Sequence, residues 1–327
     1  MNQLYPMKFE PLFKDKIWGG NKIKTELNLD FSPLPNCGEV WALSGVDENI
    51  SIVSNGFLKG NELNELIEIY MGDLIGDAVY EKFGNEFPLL IKFIDANDYL
   101  SIQVHPDDEL AAKRKIGYGK SEMWYIIQAD ENAELISGFN CKTDKSSYLK
   151  NLENKTLKQI LNHENVKTGD VFYIPAGRVH ALGPGLLLAE IQQTSDTTYR
   201  IYDWDRLDDK GNPRQLHTEE ALDAIDFNLY DNYKTQYENK LNKTVHLVES
   251  PFFTTNLLYF NQIIEKDYEE LDSFVIFTCV EGSCSILSGA ENYNLAKGEI
   301  ILLPAECKKI QLKATKECKL LETYILL

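Results

Sequence analysis

The sequence predicts a mainly β protein with helical additions, built from two β-barrel blocks of one type. Three observations carry this. Short apolar stretches bounded by Gly, Pro and Asn recur along most of the 327 residues. Helical periodicity is confined to segments near 61–83 and 146–163. Finally, GDVFYIPAGRVH (169–180) is echoed by GEIILLPAECKK (298–309), each reading Gly, an acid, an apolar strand and then Pro-Ala. The second copy has Glu306 and Lys309 where the first has Gly177 and His180. Only the first block is therefore expected to hold site residues, with the second degenerate.

Taken in order, MKFEPLFK, CGEVWALSG and SIVSNG read as strands, and residues 61–83 as one or two helices. FPLLIKFIDAN, short and almost wholly apolar, reads as a buried strand, followed by the strands SIQVH and EMWYIIQA. SSYLKNLENKTLKQILNH (146–163) returns to helical spacing. GDVFYIPAG, ALGPGLLLAEIQQ and TYRIYDW are strands with Gly/Pro corners. DWDRLDDKGNPRQLHTEE is a polar loop entering a short helix. From about residue 244, VHLVES, FTTNLLYFN, SFVIFTCVEGSCSIL, GEIILLPA and KKIQLKA form an all-β block. Residues 226–243 are the best connection, which gives a first domain of 1–235 and a second of 236–327.

Composition bounds the function. With 43% hydrophobic and 11% aromatic residues the chain can bury a sizeable core, and no apolar run approaches the roughly 20 residues that span a bilayer. The first twenty residues lack a basic segment followed by an apolar stretch, so a cytoplasmic location is expected. The six cysteines include no CxxC pair and are expected as reduced thiols. A net charge of −18, from 33 basic and 51 acidic residues, argues against nucleic acid or an anionic membrane as partner. A monomer or homodimer is expected. An anionic substrate would need its own local Lys and Arg.

The chemistry concentrates on two of the five histidines. Gln103 and His105 alternate along a strand, so both side chains project to one face. His180 closes a Gly-(x)5-Pro-x-Gly-(x)2-His stretch, in which Pro and Gly turn the chain sharply so that the next strand begins with its His inward. Glu122, in GKSEMWYII, supplies a carboxylate. Two imidazoles and two oxygens suit a borderline ion such as zinc, with a position left for water or substrate.

The 169–180 stretch matches the second motif of the cupin superfamily, and Gln103-x-His105 stands where the first cupin motif offers His-x-His. With LLIKFIDANDYLSIQVHP, YGKSEMWYI and IPAGRVHALGPGLLLAEIQQTSDTTYRIYDW, the chain resembles the type I phosphomannose isomerases, in their short bacterial form. The resemblance spans nearly the whole chain and implies two cupin-type (jelly-roll) barrels. It also implies that Gln103, His105, Glu122 and His180 bind one zinc ion. By the same resemblance Lys92 and Ser101 serve the phosphate end of the substrate; nine residues apart, they could meet on paired strands. Lys120 shuttles a proton, Arg200 stabilises developing negative charge, and Asp196 helps open the sugar ring. Glu190 is either a supporting carboxylate or a surface group. The implied reaction interconverts mannose 6-phosphate and fructose 6-phosphate through a cis-enediol. A cupin-type metal oxygenase and a non-catalytic sugar-binding cupin are the competing readings. One departure lies close to the site: the family's usual Pro between Lys and Glu is Ser121 here.

Overall fold

The computed structural model describes residues 3–207 and 210–327. Strands dominate and gather into three sheets among the described residues. The first, seven-stranded, is centred on Leu89–Ala96, Leu186–Gln193 and Glu122–Ala129, which pair antiparallel in that order. The second, five-stranded, runs Tyr199–Tyr202, Ile102–Val104, His180–Leu182, Glu134–Phe139 and Leu161–Asn165. These two sheets face each other. Trp124, Ile126 and Leu188 from one pack against Leu135 and Leu182 from the other in a shared core.

Alternation explains why the central strands are buried on both faces, two of them along their whole length. In Glu122–Ala129, the side chains of Trp124 and Ile126 enter the space between the sheets. Met123, Tyr125 and Ile127 project the other way, into a larger core shared with the N-terminal segments and the C-terminal block. That core joins Met7, Leu63 and Phe93 to Phe253, Ile276 and Leu302. The third sheet begins at Lys243 and is built around the long strands Val275–Ser288 and Lys309–Tyr324. Its other face encloses a separate core that includes Phe260, Phe277, Ile286 and Leu320. The sheets remain open, with no closed barrel among the described residues. Among the described residues no helix is long and apolar enough to cross a membrane.

The helical stretch at 61–83 forms two helices, Leu63–Ile75 and Asp77–Phe83, within what the sequence allowed, because Gly76 adopts φ 96° and closes the first helix. Other expectations need correction. The helix expected over 146–163 runs only Lys145–Glu153, capped by Asp144, whose carboxylate accepts from Ser147 N. Lys155, at φ 58°, turns the chain out of the helix, and Leu161–Asn165 continues as an edge strand against Glu134–Phe139. MKFEPLFK is strand only over Leu12–Lys14, since Pro6 and Pro11 have no N–H to give a ladder. Met7 and Phe9 make single bridges, to Leu302 and Val53. SIVSNG likewise forms bridges rather than a strand.

Candidate active site

Between the two facing sheets lies a cleft of about 360 Å³. The five-stranded sheet supplies one wall through a rung in which Arg200, Gln103 and His180 lie side by side on adjacent strands. His105 follows Gln103 on the same face, and its carbonyl accepts from Gly177 N (2.9 Å), which ties the Pro-Ala-Gly turn to the strand end. The seven-stranded sheet supplies the opposite wall through a second rung, Trp41, Lys92, Glu190 and Trp124. Glu122 belongs to this second wall. It meets the histidines across the gap between the sheets.

His105, Glu122 and His180 converge, with one donor atom from each within 4.8 Å of the others. His180 Nε2 lies 3.4 Å from Glu122 Oε1, and His105 Nε2 lies 3.6 Å from Oε2. Both imidazoles are oriented from behind. His105 Nδ1 donates to Thr197 O (2.8 Å) and His180 Nδ1 to Arg178 O (2.9 Å). Because a carbonyl can only accept, the proton sits on Nδ1 and each Nε2 lone pair faces Glu122. The Gln103 amide reaches His180 Nε2 at 3.2 Å, and turning it by 180° presents its oxygen to the same point.

The electrostatics are those of a site built for a cation. His105 Nε2 and both Glu122 oxygens are buried without a hydrogen-bond partner. Burial, then the charge of Lys120, holds the His105 imidazolium well below the usual histidine range. Burial likewise brings His180 down to about 4. Burial, reinforced by the neighbouring charge of Glu190, pushes the Glu122 carboxyl up to about 8. Two neutral imidazoles and a carboxylate denied water are costly alone and well matched to a divalent ion. The residues present fit a metal.

The other expected residues fall around this point. Lys120 Nζ stands 3.5 Å from Glu122 Oε2. Lys92, Ser101, Gln103, Lys120, Asp196 and Arg200 all line the cleft, Asp196 at its exposed rim. Lys92 and Ser101 do not sit on paired strands; they belong to the two opposed sheets and face each other across the cleft. Glu190 is buried: it accepts from Lys92 Nζ (3.1 Å) and Trp124 Nε1 (2.8 Å), while Lys92 also reaches Gln192 Oε1 (2.7 Å). Ser121, in place of proline, uses what proline lacks: its N–H donates to Gln193 Oε1 (2.8 Å) and its hydroxyl accepts from Ala176 N (3.1 Å). His163 pairs with Glu134, and His217 Nδ1 accepts from Arg200 N, so neither joins the metal ligands.

Sequence reasoning missed Lys16, Trp124 and Arg214 in the lining. Arg214 had a signal: three of the five arginines in the chain lie within 200–214.

A model of the type I phosphomannose isomerase catalytic domain matches residues 7–142, and one of the mannose-6-phosphate isomerase cupin domain matches residues 243–325. The mannose-6-phosphate isomerase of Streptococcus mutans is 38% identical over 312 residues, covering 92% of this chain and 95% of that protein. A mannose-6-phosphate isomerase of Bacillus subtilis is 36% identical over 322 residues, covering 96% and 97%. The crystal structure of the mannose 6-phosphate isomerase from Bacillus subtilis superposes with a TM-score of 0.88 at 34% identity, covering 98% of this chain and 99% of that one. With relatives this similar along nearly its whole length, the chain belongs to the type I phosphomannose isomerase family.

Proposed function

We propose that the protein is a zinc-dependent aldose–ketose isomerase interconverting mannose 6-phosphate and fructose 6-phosphate through a cis-enediol. The observation that carries this is the convergence of Glu122, whose oxygens accept no hydrogen bond, and the His105 Nε2 lone pair on His180, which lines a cleft rich in Lys and Arg. Gln103, His105, Glu122 and His180 would hold the ion, which supplies Lewis acidity and a template for the sugar oxygens.

The chain's own residues do the rest. Asp196, at the rim, exchanges the hydroxyl proton as the sugar ring opens. Net, one proton leaves C2 and one arrives at C1, while the O2 proton moves to O1. Lys120, buried beside Glu122, would carry the proton from C2 to C1 through the lone pair of its amine. The Arg200 guanidinium stabilises the oxygen that becomes negative on the way to the enediol. Lys92 and Ser101 contact the phosphate end from the two walls. Trp41 and Trp124, on the same rung as Lys92, give the sugar an apolar face.

In this reading 1–235 is the catalytic cupin-type domain and 236–327 a degenerate cupin-type domain with a structural role. The enzyme is cytoplasmic, a monomer or homodimer, and has no nucleic-acid or membrane partner. The test is direct. Metal-replete protein incubated with mannose 6-phosphate should yield fructose 6-phosphate, chelation should abolish turnover, and zinc should restore it. An absence of turnover in the metal-replete sample overturns the proposal. Arg200→Ala should lower kcat strongly with bound metal unchanged.

A further inference from the structure

The cations of the cleft are unequally balanced. Lys92 Nζ lies 3.1 Å from Glu190, Lys120 Nζ 3.5 Å from Glu122 and Lys16 Nζ 3.5 Å from Glu39. Each lysine thus faces a carboxylate of its own. Around Arg200 the pattern changes. No carboxylate of the described residues lies within ion-pairing distance of it; its Nη1 donates to Gln215 O (2.8 Å) and its Nε is buried without a partner. Beside it, Arg214 donates from Nε to Asp203 Oδ2 (2.6 Å) and from Nη2 to Oδ1. Asp203 also accepts from Arg206 Nη2, so two guanidiniums share one buried carboxylate. The other acid near Arg206 is the exposed Asp98, at 3.7 Å. Asp196, the remaining acid of the lining, stands at the rim. Among the described residues, the surplus positive charge of the cleft therefore sits at Arg200 and Arg214.

The backbone here is arranged to hold that corner. Trp204 and Asp205 both adopt positive φ (57° and 55°), a conformation L side chains disfavour, in the turn that follows Asp203. Trp204 Nε1 donates to Leu100 O (2.7 Å) and Arg206 Nη1 to Tyr99 O (2.6 Å), fastening the turn to the chain just ahead of Ser101. From the other side, His217 N donates to Arg200 O (2.7 Å), so the segment bearing Arg214 is strapped to the Arg200 strand.

We propose that Arg214 is a substrate-binding residue that joins Lys92 and Ser101 in gripping the phosphate of the substrate, with Asp203 as its positioning residue. A phosphate monoester carries about −1.5 to −2 at neutral pH, more than Lys92, balanced by Glu190, can neutralise, and the planar fork of Arg214 matches its oxygens. The inference rests on the phosphosugar reading above, and specificity for the phosphorylated over the free sugar follows from it.

The test compares Arg214→Ala, Arg214→Lys and Asp203→Asn with wild type, reading KM and kcat for mannose 6-phosphate, inhibition by inorganic phosphate and by unphosphorylated mannose, and bound metal. Arg214→Ala should raise both KM and the phosphate inhibition constant about 10- to 100-fold. It should change kcat less and leave metal content and inhibition by mannose unchanged. Arg214→Lys, which keeps the charge and loses the fork, should recover part of the loss, and this holds the test open if the alanine variant folds poorly. Asp203→Asn should raise KM by a smaller factor. Unchanged phosphate inhibition in Arg214→Ala, or an equal loss of affinity for mannose, overturns the inference. Calorimetric binding of inorganic phosphate needs no turnover, so failure of the isomerase reading and failure of this one are separable.

Discussion

Glu122 and Glu322 are both about 1% exposed, and each lies in a β block of its own. They solve the same physical problem in opposite ways. Glu322 is complete: Lys266 Nζ lies 2.7 Å away, Asn256 Nδ2 donates at 3.1 Å, and Tyr268 donates its hydroxyl. Glu122 accepts no hydrogen bond: Lys120 Nζ stands 3.5 Å off, and two imidazole lone pairs face it. A carboxylate reached by a lysine and two hydrogen-bond donors is part of a packed interior, whereas one left without a hydrogen bond and faced by lone pairs marks the place of a cation the chain does not encode. The internal repeat follows the same division. Gly169 and Gly298 open the two copies at the same φ of 88°. The first copy then delivers His180 inward, while Lys309 of the second is exposed and pairs with Asp267 and Glu269.

The sharpest way to break this comparison is to neutralise each carboxylate in turn. Glu122→Gln should strip bound metal, measured by mass spectrometry of the purified protein, and lower turnover about 10²–10⁴-fold. Glu322→Gln should change neither. If the two substitutions act alike on metal content, the distinction between them is wrong. Removing the second carboxylate altogether should cost stability instead: Glu322→Ala leaves Lys266 without its buried counter-charge and should destabilise the protein by about 3 kcal/mol, read by urea denaturation. Activity per folded molecule should stay at the wild-type level.

The pH dependence of the metal-free protein sharpens the contrast. With no metal, Glu122 keeps its proton in the folded protein up to about pH 8, whereas in the unfolded chain it ionises near 4.5. Its folded pKa is raised, so its contribution to stability is present below about 4.5 and is lost as pH rises towards 8. Chelated protein should therefore lose stability between these values while metal-loaded protein does not. For the same reason metal binding near pH 7 should release about one proton, since the ion displaces it from Glu122. His180, already neutral above about 4, should release none. Calorimetry in buffers of different ionisation enthalpy measures this, and binding without proton release would contradict it.

Much of the first site was legible because its signals are local. Gln103 and His105 show their common face through period-two alternation, and the Pro-x-Gly-x-x-His turn announces His180. Lys120 and Glu122 likewise fall two apart on one face. What sequence could not supply was which sheet each strand joins. Lys92 and Ser101 seemed able to meet on paired strands, yet their strands entered opposed sheets, because pairing is decided by partners about a hundred residues away, such as Glu190 opposite Lys92. Arg214 was missed for a related reason. It lies in a polar loop with no periodicity, and it reaches the cleft only through Asp203 and the strap to Arg200. The strand Leu161–Asn165 was hidden beneath helical spacing that tertiary pairing with Glu134–Phe139 overrides.

The smallest expected effect falls one residue from Glu122. Ser121→Pro restores the residue usual in the family pattern but removes a buried N–H from Gln193 Oε1 and a hydroxyl from Ala176 N. Gln193 is itself bound, through Nε2, to Asp108 Oδ1 (2.9 Å), so the loss propagates to the turn that carries Lys120. Proline also confines Lys120 to extended backbone, which a residue leading into a strand can adopt. The unmet acceptor and donor should cost about 1–2 kcal/mol in urea denaturation, with bound metal retained because Glu122 keeps its place in the strand. Loss of metal in this variant would mean that the Glu122 site depends on its neighbour's hydrogen bonds as much as Glu322 depends on Lys266, and the two interiors would then differ less than their partners suggest.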